Sequence, residues 1–223
     1  MCTVVWEWTG AAPLRILALR DEFAGRAFDD PAQWWRAQPS VVGGRDRLAG
    51  GTWCASDVRS GATALVVNRI ERRDGTPSRG TLPLAALAHG RQWTEAVDVS
   101  TMAAFNLLLA DAEGVSVWTW DGRELGHLAP SAGRHMLTSQ GTDADDAKTR
   151  RFAAQFGGGE WTDVVTACEP SSADDALVVR RRFDDRSYET VFGQLIVARP
   201  GKLRIEYSRT PWRAGSWVLG EWM

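Results

Sequence analysis

A layered α+β fold, with antiparallel sheets and helices packed on their outer faces, is what the sequence predicts. Three observations carry this. Segments with period-two alternation stand at both ends of the chain, short helical runs cluster between them, and the turn signals suit hairpins rather than strict βαβ crossovers. The 223 residues are 44% hydrophobic and 24% charged with a net charge of −2, the balance of an ordinary globular protein. No Pro/Ser-rich linker or charge block divides them, so a single domain over 1–223 is expected.

Taken in order, TVVWEW (3–8) alternates and LRILAL (14–19) is an apolar run, and the Gly-Ala-Ala-Pro turn at 10–13 joins them into an opening hairpin. After Pro31 a short helix carrying Trp34 and Trp35 is expected. The glycine pairs at 43–44 and 50–51 mark tight turns around RDRLA. Residues 53–57 and 62–70 form a further hairpin across RSG. Ser78-Arg79-Gly80 leads into the helical run TLPLAALAH, followed by a weaker helix at 94–99. FNLLLAD (105–111), VSVWTW (115–120) and residues 123–128 are separated by Glu-Gly and Asp-Gly, which predicts an antiparallel meander. Residues 143–156 have an acidic start and later basic residues, as the helix dipole favours, and a short helix follows at 160–167. Residues 188–199 and 203–209 flank a Pro-Gly turn as a hairpin, with a last strand at 215–222.

Composition excludes several classes. Of 26 Lys plus Arg only Lys148 and Lys202 are lysines, and the arginines are scattered rather than gathered into a patch, so nucleic acid is not an expected partner. No stretch has secretory form or approaches the roughly 20 apolar residues needed to span a bilayer, and a cytoplasmic location is expected. Cys2, Cys54 and Cys168 are odd in number and lack CxxC spacing, so neither a disulfide framework nor a cysteine zinc site is indicated. His89, His127 and His135 are too far apart for a local metal motif. They and Met102 or Met136 are candidate axial ligands only if haem binds. Twelve tryptophans against two tyrosines suit core and edge packing, each needing a partner for its N–H when buried. GGRDRLAGGTW has neither GxxxxGK[ST] nor GxGxxG, so its glycines read as close-passage positions over Trp53 and the Cys2 strand, which would set Arg45 and Asp46 near a pocket mouth.

Chemistry concentrates at the N-terminus. With Met1 removed, Cys2 would carry a thiol nucleophile and, as its own base, an α-amino group with a reference pKa of about 7.7–8.0. Arg20, Asp21 and Glu22 stand at the end of the second strand, which hairpin pairing brings alongside Cys2. An Arg beside two carboxylates there can orient an α-amino group. Asn68 and Asn106 are neutral amide donors suited to an oxyanion.

The ordered segments MCTVVWEW, LRILALRDEF, WW at 34–35, VVGGRDRLAGGTW, ALVVNR, SRG and FNLLLAD resemble the transport-and-Golgi-organisation-2 family, also called the NRDE family. The resemblance is dense over the first 110 residues and looser beyond. It implies a four-layer αββα sandwich like that of N-terminal-nucleophile hydrolases, and a role in haem trafficking. It maps the family cysteine onto Cys2 and the R, D and E of the motif onto Arg20, Asp21 and Glu22. Asn68, Arg79 and Asn106 match further recurrent positions. The motif's leading Asn is Leu19 here, and Arg20 and Asp21 are adjacent, whereas cysteine-dependent amidases of that fold place two residues between them.

Two functions follow. One is a carrier or chaperone holding haem, an acyl compound or another small amphipathic ligand near Cys2, Arg20, Asp21 and Arg45, with Asp46, Glu22 and Arg79 as further binding residues, no required cofactor and no metal. The other is a cysteine amidohydrolase with Cys2 as nucleophile, Arg20 and Asp21 as orienters and Asn68 or Asn106 as oxyanion donor. A scaffold with neither activity is the remaining alternative.

Overall fold

The computed structural model describes residues 2–10, 13–69, 76–199 and 201–223. In chain order the strands are β1 (Thr3–Trp8), β2 (Leu14–Phe23), β3 (Phe28–Ala32), β4 (Val41–Asp46), β5 (Cys54–Asp57), β6 (Thr63–Asn68), β7 (Phe105–Asp111), β8 (Gly114–Trp120), β9 (Leu125–Leu128), β10 (Gly133–Thr138), β11 (Gly141–Thr142), β12 (Arg180–Phe183), β13 (Arg186–Arg199), β14 (Lys202–Ser208) and β15 (Val218–Leu219). The helices are α1 (Leu82–His89), α2 (Trp93–Ala96), α3 (Ala147–Phe152) and α4 (Trp161–Thr166). The class is α+β, with two antiparallel sheets. The chain divides into two compact units, one of residues 1–25, 133–198 and 203–223, the other of 26–132 and 199–202.

The first unit holds a sheet ordered β11-β10-β1-β2-β13-β14-β15, with β12 on β13. Its two longest strands, β2 and β13, run side by side at the centre, so both chain ends contribute to one hydrogen-bonded surface. Alternation along β1 and β2 puts Val5, Leu17 and Leu19 on one face. There they join Met136 and Leu195 in a core with Phe152, Phe156, Trp161 and Val165 from α3, α4 and the turn between them. Asp146 starts α3 in extended conformation, its carboxylate accepting the Thr149 amide, and Arg150 and Arg151 occupy the last turn. Trp161 donates its indole N–H to the Phe156 carbonyl at 3.0 Å, which satisfies the one polar atom its burial encloses.

The second unit is a seven-stranded meander, β3 to β9 in chain order. Helices α1 and α2 cover one face through Leu82, Ala86 and Trp93, packed on Val66, Phe105, Leu107 and Trp118. Each unit is thus a helix layer on an antiparallel sheet. Among the described residues, no helix is long and apolar enough to cross a membrane.

Several expectations need correction. No helix forms at Trp34 and Trp35: Pro31 lies within β3, Trp34 donates its indole N–H to the Asp30 carbonyl, and Trp35 donates to that of Gly50, so both rings pin a turn. The VVGG segment is strand, not turn, because Gly43 and Gly44 are packing positions: a Cβ on Gly44 would lie 2.3 Å from the Trp53 ring. Passage over Trp53 is therefore what these glycines permit; the Cys2 strand belongs to the other unit. Strand β2 runs past the 14–19 run to Phe23, so Arg20, Asp21 and Glu22 lie within it. The helix expected from 143 starts at Ala147, since Asp143 turns with φ of 48° and its carboxylate accepts the Met136 amide. The helix expected at 94–99 is one turn, and the last strand shrinks to two residues. Strands β10 and β12, rich in arginine and histidine, had no clean alternation and were not foreseen. Residues 11, 12, 70 and 200, in the expected turns and hairpin end, lie outside the described residues, as does Met1.

Gly51 tests the tight packing of the GGRDRLAGGTW segment. A Cβ there would meet the Gly80 carbonyl carbon at 2.4 Å, and backbone cannot yield as a side chain does. Gly51→Ala is expected to cost about 1–3 kcal/mol, the range for overpacking, read as a lowered midpoint in chemical denaturation with unchanged slope.

Candidate functional site

At the Cys2 end of the first unit's sheet three ionisable side chains, Arg20, Asp21 and Lys148, are enclosed. Antiparallel pairing of β1 with β2 sets Thr3 opposite Leu19, which carries Cys2 to the level of the RDE segment. The half-buried Cys2 thiol donates to the Asp21 backbone carbonyl at 3.7 Å, a long, weak sulfur contact. Arg20 and Asp21 are only 5% and 3% exposed, so two charged side chains sit inside a central strand, where an uncompensated charge would be strongly destabilising.

Strand β13 supplies compensation. Thr190 stands opposite Asp21, and its hydroxyl donates to Asp21 Oδ1 at 2.6 Å while accepting the Val179 amide at 2.8 Å. Accepting from the amide leaves the hydroxyl proton for the carboxylate, so the direction of the bond is settled. Tyr188 adds an O–H donation to the Asp21 carbonyl at 3.1 Å. A bulge between Thr190 and Phe192 shifts the register and brings Phe192 opposite Arg20, as bulges do where a side chain must be re-aimed. Arg20 lies 3.8 Å from the Glu22 carboxylate, its same-face neighbour along β2. Glu22 also accepts the Phe23 amide.

The helix layer adds a second cation. Lys148 on α3 is 6% exposed, and its ammonium donates to Thr3 Oγ1 at 2.9 Å. Burial pulls the Lys148 pKa down from its ordinary value, opposed mainly by the Asp21 carboxylate and also by Cys2 and Asp146, with Arg181 pushing the same way as burial. Burial also pushes the Cys2 thiol up, and the Asp21 carboxylate adds to this; Arg20 opposes it. Asp146 is raised by burial but held below its usual range overall by hydrogen bonds from Thr138 and Thr149. Sequence reasoning missed Lys148, Thr3, Thr190 and Tyr188. The one signal available was that Lys148 is a rare lysine, one of two, in a chain that otherwise uses arginine.

The remaining sequence-chosen residues fall in the second unit. Arg45 donates to Asp29 at 2.8 Å and lies 4.5 Å over the Trp34 ring, while Arg47 also bonds Asp29. Those arginines hold the Asp29 carboxyl below its ordinary range, the bond from Arg47 contributing most. Asp46 closes the RDRLA turn, accepting the Leu48 and Ala49 amides and the Arg26 guanidinium. Arg79 donates to the Ala104 carbonyl at 2.8 Å, just before β7. Asn106 is wholly buried and accepts the Thr119 hydroxyl at 2.8 Å; Asn68 is exposed at the end of β6, one strand away.

The axial-ligand candidates separate clearly. Met102 and Met136 are buried in the two helix-covered cores. His127 packs on Trp118 at 4.8 Å between ring centroids and His89 is exposed on α1. His135 is stacked on Trp6, with its Nδ1 2.6 Å from Asp143. Among the described residues, no group of three or more His, Cys, Asp or Glu is placed to hold a metal ion.

The sequence model of Transport and Golgi organisation 2 matches residues 1–172. The chain belongs to that family. Cys2, Arg20, Asp21 and Lys148 lie inside the matched span; Tyr188 and Thr190, which hold Asp21 from β13, lie beyond it. Comparison with curated proteins finds no match. Among solved structures this family member is similar to the Caenorhabditis elegans N-acylethanolamine-hydrolyzing acid amidase (NAAA) ortholog. That likeness has 8% identity, coverage of 97% of this chain and 95% of the other, and a TM-score of 0.39.

The Asp21 arrangement is directly testable. Thr190→Val removes the hydroxyl that both satisfies Oδ1 and accepts the Val179 amide, so a loss of about 1–3 kcal/mol is expected, measured by denaturant unfolding at pH 7.

Proposed function

We propose that this chain is a carrier that binds haem or another small amphipathic ligand at the Cys2 end of the first unit's sheet. The observation that carries the reading is the enclosure of Arg20, Asp21 and Lys148 at the end of the sheet where Cys2 precedes β1. Burial and the Asp21 carboxylate push the Cys2 thiol up, away from the lowered pKa that suits a cysteine nucleophile. A thiol beside enclosed Arg20, Asp21 and Lys148 makes a polar anchor, which suits a ligand with one charged end. Family membership supports the trafficking sense of the reading, and haem is the cargo it favours.

Haem titration followed by visible absorbance tests it. Saturable change at one equivalent is expected for wild type, with affinity weakened in Cys2→Ala; a strictly linear, unsaturable response in wild type rejects the carrier reading for haem.

The amidohydrolase reading keeps one specific support, the pairing of β1 with β2 that brings Cys2 to the level of Arg20, with its thiol on the Asp21 carbonyl. It requires Cys2 to be the first residue of the mature chain, because the α-amino group is the base. Intact-mass analysis after a pulse with an activated acyl ester decides between the two. An acyl adduct on a chain lacking Met1, lost on further incubation, is expected for the enzyme, and a chain that retains Met1 excludes this mechanism.

A further inference from the structure

We propose that Tyr188 is a positioning residue for Cys2: its hydroxyl shares the Asp21 carbonyl with the Cys2 thiol and so eases loss of the thiol proton. This deepens the reading that Cys2 marks the functional site, and rests on it. The β1–β2 register ends with Thr3 opposite Leu19, and Asp21 lies two residues beyond. There its carbonyl oxygen takes two side-chain donors, the Tyr188 hydroxyl at 3.1 Å and the Cys2 thiol at 3.7 Å. Strands β1 and β13 flank β2 on opposite sides, so the donors reach that one oxygen from both neighbours. Tyr188 itself stands opposite Phe23, with ring centroids 5.4 Å apart edge to face, and Phe183 from β12 packs on it at 6.0 Å. A phenylalanine at 188 would keep both ring contacts. What the hydroxyl adds is the bond to the Asp21 carbonyl.

A carbonyl oxygen has two lone pairs, and of its two donors here the O–H is strong and the S–H weak. Tyr188 therefore takes the larger share of the oxygen's charge and leaves the thiol the long contact. For Cys2 this works twice in one direction. The neutral thiol gains less by donating to an oxygen already engaged, and a thiolate meets less negative charge there than on a bare carbonyl. Both favour release of the proton. They act with Arg20 and against burial and the Asp21 carboxylate. Thr190 does not supply the same effect, because its hydroxyl donates to Asp21 Oδ1 instead. Tyr188 lies beyond the residues matched by the family model, so membership alone does not assign it.

Iodoacetamide alkylation of Cys2 between pH 7 and 9, followed by peptide mass spectrometry, tests this. The thiolate sulfur bonds the methylene carbon, iodide leaves, and the thiol proton passes to buffer. The range lies below the ordinary tyrosine pKa of about 10. Tyr188→Phe is expected to slow Cys2 alkylation roughly two- to tenfold across it, the range one hydrogen bond spans. Half-buried Cys168, packed against the same unit's core, is the reference and keeps its wild-type rate. An unchanged Cys2 rate, or a faster one as mere opening of the site would give, overturns the proposal. Should Tyr188→Phe expose Cys168, the coupling is read from the thiol's side instead. Tyr188 and Tyr207 are the chain's two tyrosines, so ring-labelled tyrosine gives two NMR signals at the hydroxyl-bearing carbon. Cys2→Ala is expected to move the Tyr188 signal and leave that of Tyr207 in place. A Tyr188 signal that stays put, or moves only together with Tyr207, overturns the proposal. Neither measurement needs a bound ligand. A slowed reaction alongside a failed haem titration therefore rejects the carrier reading alone, and an unchanged rate alongside saturable haem binding rejects this proposal alone.

Discussion

The enclosure of the Asp21 carboxylate in the middle of a sheet is the constraint around which the first unit is organised. A buried carboxylate must be met by donors, and here the Asp21 side chain and backbone carbonyl are met from two sequence-distant places, β13 and the residue before β1. Thr190 on β13 bonds the side chain, Tyr188 on the same strand bonds the carbonyl, and the Cys2 thiol meets that carbonyl from the other side. Strands from the two ends of the chain must therefore be docked with β2 before the charge is tolerable. The bulge beyond Thr190 is part of the same accommodation, since it changes which face of β13 looks at Arg20.

Lys148 and Arg20 extend this logic to cations. Three enclosed charges of both signs at one end of one sheet are a poor way to gain stability, because desolvation consumes most of what their mutual attraction returns. Such clusters occur where a site needs a particular electrostatic setting. The result is a Cys2 thiol pushed up by burial and Asp21, and a lysine anchored on Thr3 whose own charge is reluctant. The second unit shows the contrasting use of charge. Its Asp29, Arg45, Arg47, Asp46 and Arg26 contacts lie at strand ends and turns and brace β3 against β4, with buried carboxylates met by partly exposed guanidinium groups.

The fold was legible wherever alternation was clean. TVVWEW, FNLLLAD and VSVWTW form strands because their apolar residues fall on one side at period two, and the meander follows from their Gly-containing turns. Legibility failed where a tertiary partner replaced the local signal. Trp34 and Trp35 looked like the apolar stripe of a helix but bond carbonyls of β3 and of the Gly50 turn. Gly43 and Gly44 looked like a turn but lie in β4, where Trp53 and Ala55 leave no room for a Cβ.

At the site, the amino-acid sequence by itself determined the α+β class, the pairing of the Cys2 strand with the RDE strand, and the choice of Cys2, Arg20 and Asp21, because hairpin neighbours are specified by local pattern and short turns. Only the tertiary structure decided what surrounds them. Thr190 and Tyr188 come from a strand some 170 residues away, Lys148 reaches Thr3 across 145 residues, and no periodicity records such distances. Nor does the sequence contain the protonation of Cys2, since that depends on burial and on Asp21's charge, both of which exist only once the sheet and its helix layer have closed around them.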